Sequence, residues 1–150
     1  MAELRRVSPA VVAVHASADV LDALAPGDAI VHRVAPDEVM ATAAADDAET
    51  LTATLEQAVV GDVGAVVLDV SDGWAAFALA GSDARLAFSR VSPLVLPDAG
   101  TVQGDVLRLP AKVAASSAEI VVFVPAGYAA WVERKLRERC PEIASTEAAP

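Results

Sequence analysis

Two segments of equal length constrain the fold of this 150-residue chain more than any other feature. "DEVMATAAADDAETLTATLEQ", residues 37–57, and "AEIVVFVPAGYAAWVERKLRE", residues 118–138, each run through about six strand-forming residues and a short turn into an amphipathic helix. In the first, Ala48, Leu51, Leu55, Ala58 and Val59 recur at helical spacing. In the second, Tyr128, Trp131, Val132 and Leu136 take one side, and Glu133, Arg134, Arg137 and Glu138 take the other. The likeness is of pattern, with few identities. It points to a pseudo-repeated strand-strand-helix unit, and so to an α+β fold with a mixed or antiparallel sheet.

The stretch between the two supports that reading. "AVVLDV" is a strand, Ser71, Asp72 and Gly73 a turn, and "WAAFALA" a second strand ending at Gly81. Ser82 or Asp83 is placed to cap a helix on which Ala84, Ala87, Phe88 and Val91 form one apolar stripe, ended by Pro93. Alternation and helical spacing predict that Trp74, Phe77 and Phe88 are buried. "PLVLPDAGTVQG" reads as a loop, followed by extended runs in "DVLRLPAKVAA" and "AEIVVFV", with Pro110 calling for a bulge or an edge position. Upstream, "DAIVHRVAPDEVMATAA" gives two extended runs around Pro36 and Asp37. The expected organisation is an N-terminal arm or edge element over 1–27, a single α+β domain over 28–140 and a frayed tail over 141–150.

With 55% hydrophobic residues the chain has enough apolar material for one core without disulfides or metal. Its formal charge of −10 opposes nonspecific binding to nucleic acid. Residues 1–75 carry 13 acidic side chains against three arginines, whereas residues 76–150 carry eight of each sign, so the acidic surplus belongs to the first half and suits a basic partner. Cys140 is the lone cysteine, which excludes an intrachain disulfide, a thiolate zinc cluster and a CxxC pair and fits a cytoplasmic location. The apolar run near the start is short and interrupted by His15 and Asp19, so neither a signal peptide nor a membrane span is expected.

Catalytic constellations are weakly represented. His15 and His32 lie in no zinc-binding spacing, and Ser71, Ser82 and Ser92 sit beside turn or cap signals without a GxSxG elbow. "LAGSDAR" places Gly81 before a helix but lacks both phosphate-loop patterns, so Gly81 is read as permitting a tight turn. Asp69 and Asp72 flank a serine and have no third or fourth ligand, which favours a solvated turn over a metal pair. Arg134, Lys135, Arg137 and Arg139 form the one basic concentration, either a solvated helix face or a docking face for an acidic partner. Trp74 and Trp131 are read as core residues rather than a cofactor box.

"DVSDGWAAFALAGSDARLAFSRVSPL", followed by "VQGDVLRLPAKVAA" and "IVVFVPAGYAAWVERKL", resembles the gamma subunit of heterotetrameric sarcosine oxidase. More broadly it resembles the folate-binding domain of the glycine cleavage T-protein and related aminomethyltransferases. "HRVAPDEVMATA" extends the resemblance upstream, to cover about residues 28–138. It is carried by Gly81, Asp83 and Ala84 before one helix, Ser92 and Leu94 after it, and the final helix from Tyr128. The resemblance implies a noncatalytic structural or assembly subunit of a flavoenzyme complex that oxidatively demethylates a secondary or tertiary amine. In such a complex this chain holds no cofactor. FAD, FMN, NAD and tetrahydrofolate sit on large partner subunits, and a small subunit binds zinc. One departure bears on folate: "SPLVLP" places Val95 where folate-using relatives have a polar step, and a pterin ring needs a carboxylate or amide to read it. The alternatives are a free-standing tetrahydrofolate-dependent one-carbon protein and an interaction domain with an unrelated partner.

Overall fold

The computed structural model describes residues 1–144, and they form two compact units of α+β structure. One unit is the contiguous segment Ser8–Trp74; the other combines Met1–Val7 with the chain from Ala75 onward.

In the contiguous unit the elements are β2 (Ala10–His15), α1 (Ala18–Asp22), β3 (Ile30–Ala35), β4 (Glu38–Ala43), α2 (Ala48–Ala58) and β5 (Val66–Asp69). The sheet order is β3-β4-β2-β5, with every recorded pair antiparallel. A β-α-β-β-α-β succession with this order is the split βαβ, or ferredoxin-like, arrangement. Side chains alternate across a strand, so Val12 and Val14 of β2 and Val39 and Ala41 of β4 face one way, where Leu51 and Leu55 from α2 and Val59 just after it complete the core. The other predicted members of the α2 stripe, Ala48 and Ala58, stay partly or fully exposed at the helix ends.

The other unit holds β1 (Glu3–Val7), β6 (Trp74–Ala80, beginning at the boundary residue), α3 (Ala84–Ser89), β7 (Gly100–Val106), β8 (Leu109–Ala115), β9 (Glu119–Pro125) and α4 (Ala129–Arg139). Its sheet order is β1-β6-β9-β8-β7. Phe77 and Leu79 of β6 and Ile120, Val122 and Val124 of β9 pack with Ala87 and Phe88 of α3, with Val132 and Leu136 of α4 and with Cys140 at its C-cap. Burying each phenylalanine contributes about 1.5–3 kcal/mol. The pseudo-repeat is present in matching form. β4 and β9 each pass through a three-residue 3-10 turn, Ala45–Asp47 and Ala126–Tyr128, into an eleven-residue helix.

Several expectations are corrected. Residues 1–27 are not an arm, although Glu3–Val7 is the expected edge element, the terminal strand of the five-stranded sheet. Glu3–Val7 pairs with β6 from Glu3↔Ala80 to Val7↔Ala76, and Ala10–His15 lies inside the other sheet between β4 and β5, where the consecutive apolar residues Ala10, Val11 and Val12 are all buried, as suits an interior strand. The boundary expected at residue 28 is therefore replaced by breaks after Val7 and after Trp74. The turn at Ser71–Gly73 joins β5 and β6, but the two strands enter different sheets. The expected loop after Pro93 ends at Gly100, where β7 begins. "DVLRLPAKVAA" spans the end of β7, the two-residue hairpin turn Leu107–Arg108 and all of β8.

Pro110 makes no bulge but does take the expected edge position. Its register with Asp105 is unbroken, and it lies beyond the last recorded pair with β9, Lys112↔Phe123, so its missing N–H removes no recorded ladder bond. Of the expected tail, 145–150 lies outside the described residues. Residues 141–144 are tied down: Ala2 donates to the Glu142 carbonyl at 2.7 Å, Ala144 donates to the Ala2 carbonyl at 3.0 Å, and Ile143 is buried.

Candidate partner-docking site

The basic residues singled out from the sequence all project from α4, but their charge is largely matched on the helix itself. Ala129, Val132, Leu136 and Cys140 form the buried stripe, which turns Arg134, Arg137 and Arg139 outward and leaves Lys135 partly covered. Arg137 reaches Glu133 at 3.3 Å one turn back, Arg134 lies 3.7 Å from Glu138, and Lys135 donates to the same Glu138 carboxylate. The Lys135 hydrogen bond, reinforced by the charges of Lys135, Arg134 and Arg139, holds the Glu138 carboxyl below the usual carboxylate range. These are exposed pairs of small energetic value. Arg139 has no recorded ion-pair partner among the described residues.

Beside this face, Tyr128 and Trp131 are half exposed and more than a third exposed, respectively. The expected core role of Trp131 is thus corrected. On an α-helix with 3.6 residues per turn, 131 falls roughly 0.4 of a turn from the centre of the stripe 129-132-136-140, nearly on the opposite side. Trp74 is only partly buried, whereas Phe77 and Phe88 are buried as expected.

The polar residues with catalytic or cap potential serve the scaffold. Ser71 Oγ accepts from the Val11 N–H at 2.9 Å and donates to Asp69 Oδ1 at 2.6 Å, while the Ser71 N–H donates to the same oxygen at 3.0 Å. The Ser71 hydroxyl, then its backbone N–H, lowers the Asp69 carboxyl below its ordinary range. Ser92 donates to the Asp105 carbonyl and accepts from the Leu94 N–H. The caps expected from Ser82 and Asp83 are not made. Asp83 takes the N-cap position of α3 without a side-chain bond to the helix, and its carboxylate instead meets the Met1 amine at 2.7 Å, with Ser82 Oγ 3.4 Å from the same nitrogen.

Gly81 allows that approach. Its φ is +96°, and a Cβ built there would lie 2.5 Å from the Met1 carbonyl oxygen. Cys140 is buried with its Sγ donating to the Ala87 carbonyl at 3.2 Å, and burial pushes the thiol pKa up, the reverse of what a nucleophile needs. His15 is exposed, 3.7 Å from Asp37, and His32 is buried; the structure does not bring the two together with the serines. Asp69 and Asp72 remain parts of a turn, and among the described residues no group of three or more potential metal ligands converges.

Charge divides by unit. Ser8–Trp74 contains 12 Asp and Glu against one basic residue, Arg33, a net of −11, and the rest of the sequence has nine acids against ten Lys and Arg, a net of +1. Arg33 is itself occupied, donating to Asp22 at 2.6 Å and to the Ala35 and Pro36 carbonyls. The sequence halves showed the acidic bias, but only the unit boundary, which transfers Arg5 and Arg6 to the other unit, shows how complete it is. Among the described residues no helix is long and apolar enough to cross a membrane.

This architecture has counterparts among solved structures. The chain shares its fold with a chain of heterotetrameric sarcosine oxidase. That structure, from Corynebacterium sp. U-96 in complex with pyrrole 2-carboxylate, matches 99% of this chain and 88% of its own, with a TM-score of 0.77 and 18% identity. Glycine cleavage system aminomethyltransferase T from Bartonella henselae matches 90% of this chain with a TM-score of 0.65 and 19% identity, and this chain spans 45% of its length. The regulatory subunit of aspartate kinase from Thermus thermophilus, ligand free, matches 93% of this chain and 97% of its own, with a TM-score of 0.56 and 19% identity. At these identities the likeness is one of fold, and it bears out the α+β expectation. No protein-family model matches the chain, and no curated protein matches it in sequence.

Proposed function

We propose that this chain is a noncatalytic structural or assembly subunit of a sarcosine-oxidase-like flavoenzyme complex that oxidatively demethylates a secondary or tertiary amine. The observation that carries the reading is the fold shared with a chain of heterotetrameric sarcosine oxidase over nearly the full length of both. The geometry agrees with it. Ser71, Ser82, Asp83, Ser92 and Cys140 all direct their polar atoms into hydrogen bonds or ion pairs that hold the scaffold. FAD, FMN, NAD and tetrahydrofolate belong, in this reading, to flavin-binding partner subunits, and Arg134, Lys135, Arg137 and Arg139 are at most an auxiliary contact face.

The test is native affinity purification of the tagged chain from its own cells, read by mass spectrometry and flavin absorbance. Large flavoprotein subunits recovered in fixed ratio are the expected result. A chain that elutes alone and colourless refutes it, and so does an isolated chain that oxidises sarcosine.

The likeness to aminomethyltransferase T favours a second reading, a free-standing tetrahydrofolate-dependent one-carbon protein. Calorimetry with tetrahydrofolate decides it: heat of binding supports this reading, and none at millimolar ligand removes it.

A further inference from the structure

We infer that the outer edge of the four-stranded sheet, centred on Val66 and Leu68 of β5, docks a protein partner that presents Lys and Arg around an apolar centre. β5 is the last strand of its sheet and pairs on one side only, with β2. Natural edge strands are usually blunted by shortness, lysine, proline, a bulge or a covering segment, and of these β5 has shortness, with four residues. β5 reads Val-Val-Leu-Asp, its register with β2 is unbroken, and its one charge, Asp69, is fastened to Ser71.

The register sets Leu68 opposite Ala13 and Val66 opposite His15, on the face away from α2. There they are 55% and 45% exposed. The turn that leads into the strand adds Val60 and Val63, the latter fully exposed. Exposed branched apolar side chains on adjacent same-face positions of the strand, with two more in the turn that precedes it, mark an interaction surface more strongly than scattered single ones do.

Charge selects the occupant. A second copy of the chain would set a unit of net −11 against its like, which long-range repulsion opposes. A basic face is drawn to the same surface, and the apolar centre then supplies the short-range contact. Only the partner's identity rests on the subunit reading; the surface and its charge preference come from this chain alone.

The experiment repeats the native purification at low salt with wild-type chain, Leu68→Lys, Val63→Lys and, as a control, Val95→Lys, an exposed residue of the other unit. Circular dichroism verifies folding of each. Leu68→Lys or, should it fail to fold, Val63→Lys is expected to cut recovery of the large subunits about ten-fold, as loss of a central anchor does. Val95→Lys is expected to leave it unchanged, and wild-type recovery should fall at ~0.5 M salt, where the Debye length is about 4 Å. Folded Leu68→Lys and Val63→Lys chains that recover the same subunits in the same ratio overturn the docking surface and leave the subunit reading intact. A wild-type chain that elutes as a monomer overturns both. Self-association abolished by Leu68→Lys would show that a second copy, and not a basic partner, occupies the edge.

Discussion

Replacing Gly81 with alanine tests how the chain's first residues are held. At a φ near +96° an L-residue carries about 1–2 kcal/mol of backbone strain. The added methyl would also lie 2.5 Å from the Met1 carbonyl oxygen, a backbone atom that yields only if Met1 and Ala2 move together. That movement pulls on the Ala2 bond to the Glu142 carbonyl and on the Ala144 bond to the Ala2 carbonyl, each contributing about 0.5–1.5 kcal/mol. The stiffer unfolded chain returns about 0.4–1 kcal/mol, so the net loss is about 2–4 kcal/mol. Gly100→Ala is the control. Its φ is +132°, but the nearest atom to its Cβ is Pro97 Cγ at 3.7 Å, an ordinary contact, so it should cost only about 1 kcal/mol. Urea unfolding followed by far-ultraviolet dichroism and tryptophan fluorescence measures both. If Gly81→Ala costs no more than Gly100→Ala, within about 0.5 kcal/mol, the close approach has no energetic consequence and the reasoning fails.

The hairpin turn between β7 and β8 holds both Leu107, at φ 52°, and Arg108, at φ 65°, in the left-handed region. Leu107 is buried and earns its place by packing, whereas Arg108→Gly should relieve strain and raise stability by up to about 1 kcal/mol; an unchanged urea midpoint would refute this. The Arg90 guanidinium, 2.7 Å from Glu142, holds that carboxyl below its ordinary value of 4.5. The pair's stabilisation is therefore complete above that value and is lost as pH falls through the lowered one, so Glu142→Gln should flatten the acid side of a midpoint-against-pH curve; an unaltered slope would count against the pair. Cys140 should react with a disulfide reagent about a hundred-fold more slowly in the native chain than in urea, since burial both covers it and raises its pKa; equal rates would contradict its placement.

The local physics of the chain was readable from its residues wherever one face decided the outcome. Ala84, Ala87, Phe88 and Val91 form the buried stripe that their spacing predicted, and the two strand-to-helix passages match in length. What was not readable depended on partners distant in sequence. Ser71–Gly73 has the composition of a hairpin turn, yet β5 pairs with β2 and β6 with β1, choices that no local signal specifies. Ser82 and Asp83 carry the composition of a cap, but the Met1 amine, some eighty positions away, takes their oxygens.

The exposed edge is not legible for a related reason. "AVVLDV" reads as a strand, but a strand's own residues do not say whether a neighbouring strand lies on both sides. Ion pairing of Arg134, Lys135 and Arg137 was in principle legible, since Glu133 and Glu138 stand three and four positions from them.

The unit Ser8–Trp74 is one uninterrupted piece of chain set inside a unit that is split in two. During synthesis, which delivers the N-terminus first, the inserted unit has all its strands once residue 74 is clear of the ribosome. β1 by then has been made but not its partner β6, and the central strand β9 comes some forty residues later still. The outer unit is thus obliged to finish second, with Leu4 waiting uncovered in the meantime. A nascent chain that has cleared the ribosome only to a point between residues 80 and 110 would display a complete Ser8–Trp74 unit and an incomplete second one, a state open to chaperones and proteases.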